Sequence, residues 1–188
     1  MPTSWPIRWD LRTSKTHPLI INWIQHETFA GQIGITLCPG KYQPVSWSGG
    51  WNRNLQDDVL AIYNAGVSTV VSLVEDREMQ TLRVPELGKA IFEHGMNWIH
   101  LPFRDTTAPD KKWLQHYETV QDRLIQSIQY GERIVVHCKG GLERAGMFTA
   151  LLLINLGLGV ETAINLVRKS RGPDCINPQQ ENFLRSIT

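Results

Sequence analysis

A chain of 188 residues can bury one substantial core and is short for two ordinary domains, so residues 1–188 are expected to form a single domain. Nineteen Lys and Arg against 18 Asp and Glu leave a formal net charge of +1, which excludes a broad basic field for nucleic acid or an anionic membrane; any phosphate specificity must be local. The segment Met1–Asp10 has no basic region followed by an apolar run, and the apolar stretch around Ala150–Leu158 is interrupted by Asn155 and Gly157. Neither a signal peptide nor a membrane span is expected, and a cytoplasmic location is. Cys38, Cys138 and Cys175 are too few, and odd in number, for a secreted disulfide framework, and their spacing is unlike a zinc site.

In chain order, Leu19–Ile24 and Ile33–Leu37 read as strands that pair as a hairpin, the second stopped by Pro39-Gly40. Residues 1–32 are thus an N-terminal extension contributing a strand or flap. Trp5, Trp9, Trp23, Trp47 and Trp51 fall in this first third of the chain and are expected to pack it onto the core. Leu55, Val59, Ile62 and Tyr63 recur at helical spacing up to Asn64-Ala65-Gly66, and a buried strand over Val67–Val74 follows. The alternation repeats with a helix near Pro85–His94 and a strand over Met96–Leu101. Trp113, Leu114, Tyr117, Val120, Leu124 and Ile128 mark one face of a long helix that Asp110 can cap. A fully apolar strand, Ile134–Val136, precedes helices over Glu143–Leu156, Val160–Ser170 and Pro178–Ile187. Apolar strands alternating with helices predict an α/β domain: a central, mostly parallel, twisted sheet flanked by helices.

Between the strand Ile134–Val136 and the helix opening near Glu143 stands His137-Cys138-Lys139-Gly140-Gly141-Leu142-Glu143-Arg144. In an open α/β sheet, ligands bind beyond the carboxyl ends of the strands, where helix N-termini offer unpaired N–H groups. The glycines let successive N–H groups turn inward to form an anion nest, and Arg144 can add a charged fork. The same field favours a thiolate at Cys138. A lone cysteine after an apolar strand is usually a core residue; His137, two glycines and an arginine at these spacings turn the reading toward phosphate chemistry.

Cys138-x5-Arg144 resembles the signature of the protein tyrosine and dual-specificity phosphatases. His137 through Arg144, with Gly34–Gly40, Arg53-Asn54-Leu55-Gln56 and Arg83-Val84-Pro85-Glu86-Leu87 in the same order, is similar to the kinase-associated (cyclin-dependent kinase inhibitor 3) type, over about residues 33–185. The resemblance implies that fold and a metal-independent, cofactor-free hydrolysis of phosphomonoesters through a cysteinyl-phosphate, on phosphotyrosine or phosphoserine/threonine in proteins, a kinase among them. It implies Cys138 as nucleophile, residues 137–144 as the phosphate loop, Asp105 as general acid, and Gln180 as positioner of the hydrolytic water. Displacing an alkoxide or phenoxide needs such an acid on a loop facing the nucleophile, and Leu101–Asp110 supplies one. Asp110 competes with Asp105 for that role, yet capping the following helix is explanation enough for Asp110. His137 is expected to be a buried residue that orients the loop; Gln180 reads equally as a solvated helix residue. Arg168 and Arg171 either brace the loop from behind or face water.

Two positions depart from the family pattern. Ala145 stands where a hydroxyl residue usually helps the cysteine sulfur leave, which predicts slow breakdown of the phosphoenzyme. Glu143 stands where relatives have glycine, and its carboxylate is expected to turn to solvent or to a cation. These keep open a weakened or non-catalytic phosphate binder, while Lys139 keeps open a non-protein phosphoester such as a phosphoinositide. Sulfur transfer and arsenate reduction also use cysteine anion loops; Cys38 and Cys175 would then have to serve as partner thiols.

Overall fold

We describe a computed structural model of the chain over residues 11–46 and 49–187. The expectations for Trp5, Trp9 and Trp47, and for the segment Met1–Asp10, fall outside these residues. Strands β1 (Asn22–Ile24), β2 (Gln32–Thr36), β3 (Tyr42–Gln43) and β4 (Trp51–Asn52) open the chain. Helix α1 (Leu55–Asn64), β5 (Val67–Ser72), α2 (Asp76–Thr81), α3 (Leu87–Glu93), β6 (Asn97–His100) and α4 (Lys111–Gln129) follow. Strand β7 (Arg133–His137), α5 (Glu143–Asn155), α6 (Val160–Arg171) and α7 (Pro178–Ser186) complete the fold.

The main sheet has the order β1-β2-β7-β5-β6. Strands β2, β7, β5 and β6 run parallel, and β1 lies antiparallel to β2 at one edge, the expected hairpin. The architecture is therefore the predicted α/β sheet with flanking helices. Strand β1 starts three residues later than expected, because the ladder to β2 begins at Asn22↔Ile35. The short ribbon β3–β4 and the helix α2 are absent from the sequence reading, since two-residue strands and a six-residue helix carry too few positions to display a period.

The central strand shows why the sheet is buried on both faces. Ile134 and Val136 enter a core built with Trp113, Tyr117, Phe148 and Ile164, while Val135 between them enters the opposite core with Val59, Ile62 and Ile91. All three β7 residues are fully buried, as a period-2 strand sandwiched between helix layers requires. Helix α5 is apolar nearly all round, and every residue from Arg144 to Leu153 is buried. The loop joining β7 to α5 thus lies between the middle strand and an internal helix, which fixes both of its ends.

Candidate active site

The sequence folds residues 138–142 into a tight loop because Gly141 adopts φ +66. A Cβ there would stand 2.4 Å from the Thr36 carbonyl oxygen, so only glycine fits this close approach. The loop carbonyls are turned outward and held: Lys139 O accepts from Cys38 N (3.4 Å) and Lys41 Nζ (3.2 Å), Gly141 O from Arg171 Nε (2.8 Å), and Gly140 O from Arg171 Nη2 (3.1 Å). Arg171 therefore braces the loop from behind. Helix α5 begins without a side-chain cap, which leaves its first-turn N–H groups and the positive end of its dipole next to the loop.

Arg144 is fully buried and held on one side. Its Nη1 donates to Glu78 Oε2 (2.6 Å), Phe103 O (3.1 Å) and Leu73 O (3.2 Å), and its Nη2 donates to Glu78 Oε1 (2.8 Å). Burial alone would raise the Glu78 pKa, but Arg144 outweighs it and holds that carboxyl below its ordinary value. Nε lies 3.0 Å from Asp105 Oδ1, an ionic contact too bent to be a hydrogen bond, so the Nε–H is a buried donor without an acceptor among the described residues. The Nε edge is the side of the guanidinium left for a bidentate anion.

Cys138 is buried at 3% exposure at the base of a cavity of about 350 Å3. Asp105, Thr106, Lys41, Lys139, Leu142 and Glu143 line that cavity with it. Asp105 and Cys138, far apart in the sequence, thus meet across one space, with Arg144 beneath. Asp110 is the N-cap of α4, its Oδ1 accepting from Trp113 N at 2.8 Å, and it is absent from this cavity.

His137 ends β7 with no exposed surface, and burial foremost pushes its pKa down to about 4. Its Nδ1 lies 3.4 Å from Cys138 O, and its Nε2 lies 2.5 Å from Ser72 Oγ, which also accepts from Trp98 Nε1 at 2.8 Å. A carbonyl accepts only, so a neutral His137 carries its proton on Nδ1 and takes the Ser72 hydroxyl hydrogen on Nε2. Proton directions along Trp98–Ser72–His137–Cys138 O are all fixed by donor capacity.

Glu143, half-buried on the cavity wall, has a neutral partner where a cation was one expectation: its Oε2 accepts from Asn177 Nδ2 at 2.7 Å. Gln180 is also placed differently from a solvated residue. It is fully buried, with Nε2 donating to Thr107 O (3.1 Å) and Oε1 accepting from Asn177 N (3.2 Å). Arg168 donates to Cys175 O and Ile176 O and pairs with Glu181. Cys38 and Cys175 are buried free thiols whose pKa values burial raises, that of Cys175 to about 11, so both stay protonated.

Four residues around the loop escaped the sequence reading: Lys41, Ser72, Glu78 and Asn177. Lys41 is 4% exposed, and burial foremost lowers its pKa to about 8. Only Asn177 had a local signal, because Asn-Pro followed by Gln180 spells a helix start with a capping box. The other three reach the loop through tertiary contacts that no spacing announces.

A glycine-bearing loop, a buried cysteine, an arginine whose Nε–H has no hydrogen-bond acceptor among the described residues and an aspartate across the same cavity make up the candidate site. Residues 48–158, more than half of the chain, match the family described as polymorphic toxin system, DSP-PTPase phosphatase. The chain belongs to this dual-specificity and protein tyrosine phosphatase family. Within it the chain lies near the kinase-associated type. It is 27% identical to cyclin-dependent kinase inhibitor 3 of Sus scrofa over 176 residues, covering 90% of this chain and 79% of that protein. It is 30% identical to protein tyrosine phosphatase type IVA 3 of Bos taurus over 132 residues, covering 66% and 75%. The solved structure of a kinase associated phosphatase with serine replacing its catalytic site cysteine shares the fold, with TM-score 0.78, 24% identity, and coverage of 90% of this chain and 94% of that one.

Proposed function

We propose that the protein hydrolyses phosphomonoesters on phosphorylated proteins through a cysteinyl-phosphate at Cys138, acting on phosphotyrosine, phosphoserine or phosphothreonine. The observation that carries this reading is the unsatisfied Nε edge of Arg144, facing Asp105 beside the cavity of Cys138. A buried donor without an acceptor is costly unless a ligand uses it.

In the first step the Cys138 thiolate attacks phosphorus; the S–P bond forms, the P–O bond to the leaving group breaks, and neutral Asp105 gives its proton to the departing oxygen. In the second, Asp105 as carboxylate takes a proton from water, whose oxygen attacks phosphorus and breaks the S–P bond, returning thiolate and inorganic phosphate. The Arg144 Nε edge and the loop N–H groups hold the equatorial oxygens in both steps. His137, by donating to Cys138 O, keeps the loop in register. A phosphorylated kinase is the kind of partner this reading favours, in line with the names of the relatives.

The test is turnover of an aryl phosphate and of phosphotyrosine and phosphothreonine peptides by wild type, Cys138→Ser and Asp105→Asn. Cys138→Ser should abolish turnover while still binding phosphate, and Asp105→Asn should slow turnover by roughly 10²-fold or more on poor leaving groups. Turnover surviving Cys138→Ser refutes the mechanism. Ala145 favours a second, weaker reading, a phosphate binder with little turnover; phosphate binding without turnover in wild type would select it. A soluble phosphoinositide headgroup as a further substrate arm tests the non-protein alternative.

A further inference from the structure

Among the described residues, two of the three non-glycine residues in the left-handed region lie on segments that meet beside the candidate active site: Thr106 (φ 63), directly after Asp105, and Ile176 (φ 68), directly before Asn177. Both are β-branched, for which this conformation is costly and needs an external hold. The hold is visible. Asn177 donates one Nδ2 hydrogen to Glu143 Oε2 at 2.7 Å and the other to Thr106 O at 3.1 Å. Its Oδ1 accepts from Gln180 N at 2.9 Å, so the amide orientation is fixed by its neighbours. Gln180 takes the next carbonyl, Thr107 O. Arg168 secures the other strained segment through Ile176 O at 3.2 Å.

We propose that Glu143 and Asn177 form a clasp that locks the acid loop onto the phosphate loop, making them positioning residues for Asp105. Glu143 sits at the first position of α5, so it moves with the phosphate loop, while Thr106 O moves with the acid loop. Asn177 at the N-cap of α7 bridges the two with both hydrogens of one amide. With Thr106 and Thr107 held by their carbonyls, the Asp105 carboxylate stays within 3.0 Å of Arg144 Nε and accepts from Thr106 N at 3.1 Å. A carboxylate at 143 is thereby explained where a glycine would leave Asn177 without this side-chain acceptor. Breaking the clasp frees Asp105 without touching the nucleophile.

This inference deepens the phosphatase reading and rests on it. Its test compares kcat/KM, which reports formation of the phosphoenzyme, on phenyl phosphate and on 2,4-dinitrophenyl phosphate, whose leaving group needs no proton. Asn177→Ala and Glu143→Ala should each lose about tenfold on phenyl phosphate, the size of one hydrogen bond, and less than about twofold on the dinitrophenyl ester. Glu143→Gln keeps an oxygen acceptor for Asn177 and should keep the wild-type ratio of phenyl phosphate to dinitrophenyl phosphate kcat/KM. In an Asp105→Asn background the same substitutions should cost nothing further. Equal losses on both esters, no loss on either, or a Glu143→Gln variant as impaired as Glu143→Ala would overturn the clasp. If Asn177→Ala melts early, the half-buried Glu143 variants carry the test alone. Asp105→Asn that fails to separate the two esters condemns the acid assignment itself, a result distinct from failure of the clasp.

Discussion

His137 should make the fold acid-sensitive in a defined window. The perturbation is a fall in pH from 7 to 4. In the unfolded chain the imidazole titrates near its ordinary value of 6.5, whereas in the fold burial holds it down to about 4. Between these values the unfolded state binds the proton and the folded state does not, so stability present above pH 6.5 drains away as pH falls toward 4 and levels off below it. The shift of about 2.5 units, at 1.36 kcal/mol per unit, corresponds to about 3 kcal/mol, a large share of a domain's usual ~5–15. Charging the ring would also put a second N–H against Ser72, whose hydroxyl already accepts from Trp98. Urea midpoints measured at pH 7, 5.5 and 4 for wild type and His137→Asn are the assay. Glu78, whose carboxyl is held below its ordinary 4.5, loses its contribution only as pH falls lower still, and does so equally in both proteins. Wild type should therefore lose about 3 kcal/mol more than the variant over this range; parallel loss in the two proteins would refute a buried, neutral His137.

The other predictions concern charge and turnover. Glu78→Gln removes the carboxylate facing a fully buried guanidinium and should destabilise the protein by roughly 3 kcal/mol, with loss of phosphate affinity, seen by thermal melting and vanadate titration. Lys41 loses its proton as pH rises through about 8, so phosphatase activity should fall across pH 7–9, and Lys41→Met should flatten that limb while lowering its plateau. The same depression means that burying charged Lys41 costs stability below pH 8, a cost relieved as pH rises toward 10.5. Ala145, fully buried in the first turn of α5, offers the sulfur no hydroxyl; stopped-flow traces should show a burst then slow turnover, and Ala145→Ser should speed the slow phase several-fold. Linear traces unaffected by that substitution count against it.

The sequence made the fold class legible because its strongest signals are long and periodic: Trp113 through Ile128 trace one face of α4, and Ile134-Val135-Val136 can hardly be anything but an internal strand. Gly141 was legible because a φ of +66 and a close approach to Thr36 leave only glycine there, and Cys138, Gly140 and Arg144 because they stand at fixed spacings around it between a strand and a helix. The supporting residues were not. Glu78 meets Arg144 across 66 residues of chain and Ser72 meets His137 across 65, contacts created only when β5 pairs with β7 and α2 folds over the strand ends. Glu143 stood out as a departure, but its partner was not legible, since Asn177 enters from the start of α7, 34 residues on. Gln180, which by position alone reads equally as a solvated helix residue, is instead turned inward to Thr107 and closes a capping box with Asn177.

The charge pattern bears on the proposed phosphate binding. Arg144 brings one positive charge and Glu78 cancels it at 2.6 Å, so the pair contributes direction more than net field. The guanidinium is positioned by three acceptors on its Nη1 side so that its Nε edge faces the cavity. On the proposed reading, the attraction for a phosphate dianion then comes from the uncapped first turn of α5 and the two lysines of the cavity wall, Lys41 and Lys139. Neither lysine is ion-paired among the described residues, and Lys41 stays buried against the Lys139 carbonyl at the energetic disadvantage its lowered pKa records. The proposed binding is compatible with a net charge of +1 because the positive groups are gathered around one loop and its wall, and the carboxylates there each have a partner: Glu78 and Asp105 at Arg144, and Glu143 at Asn177.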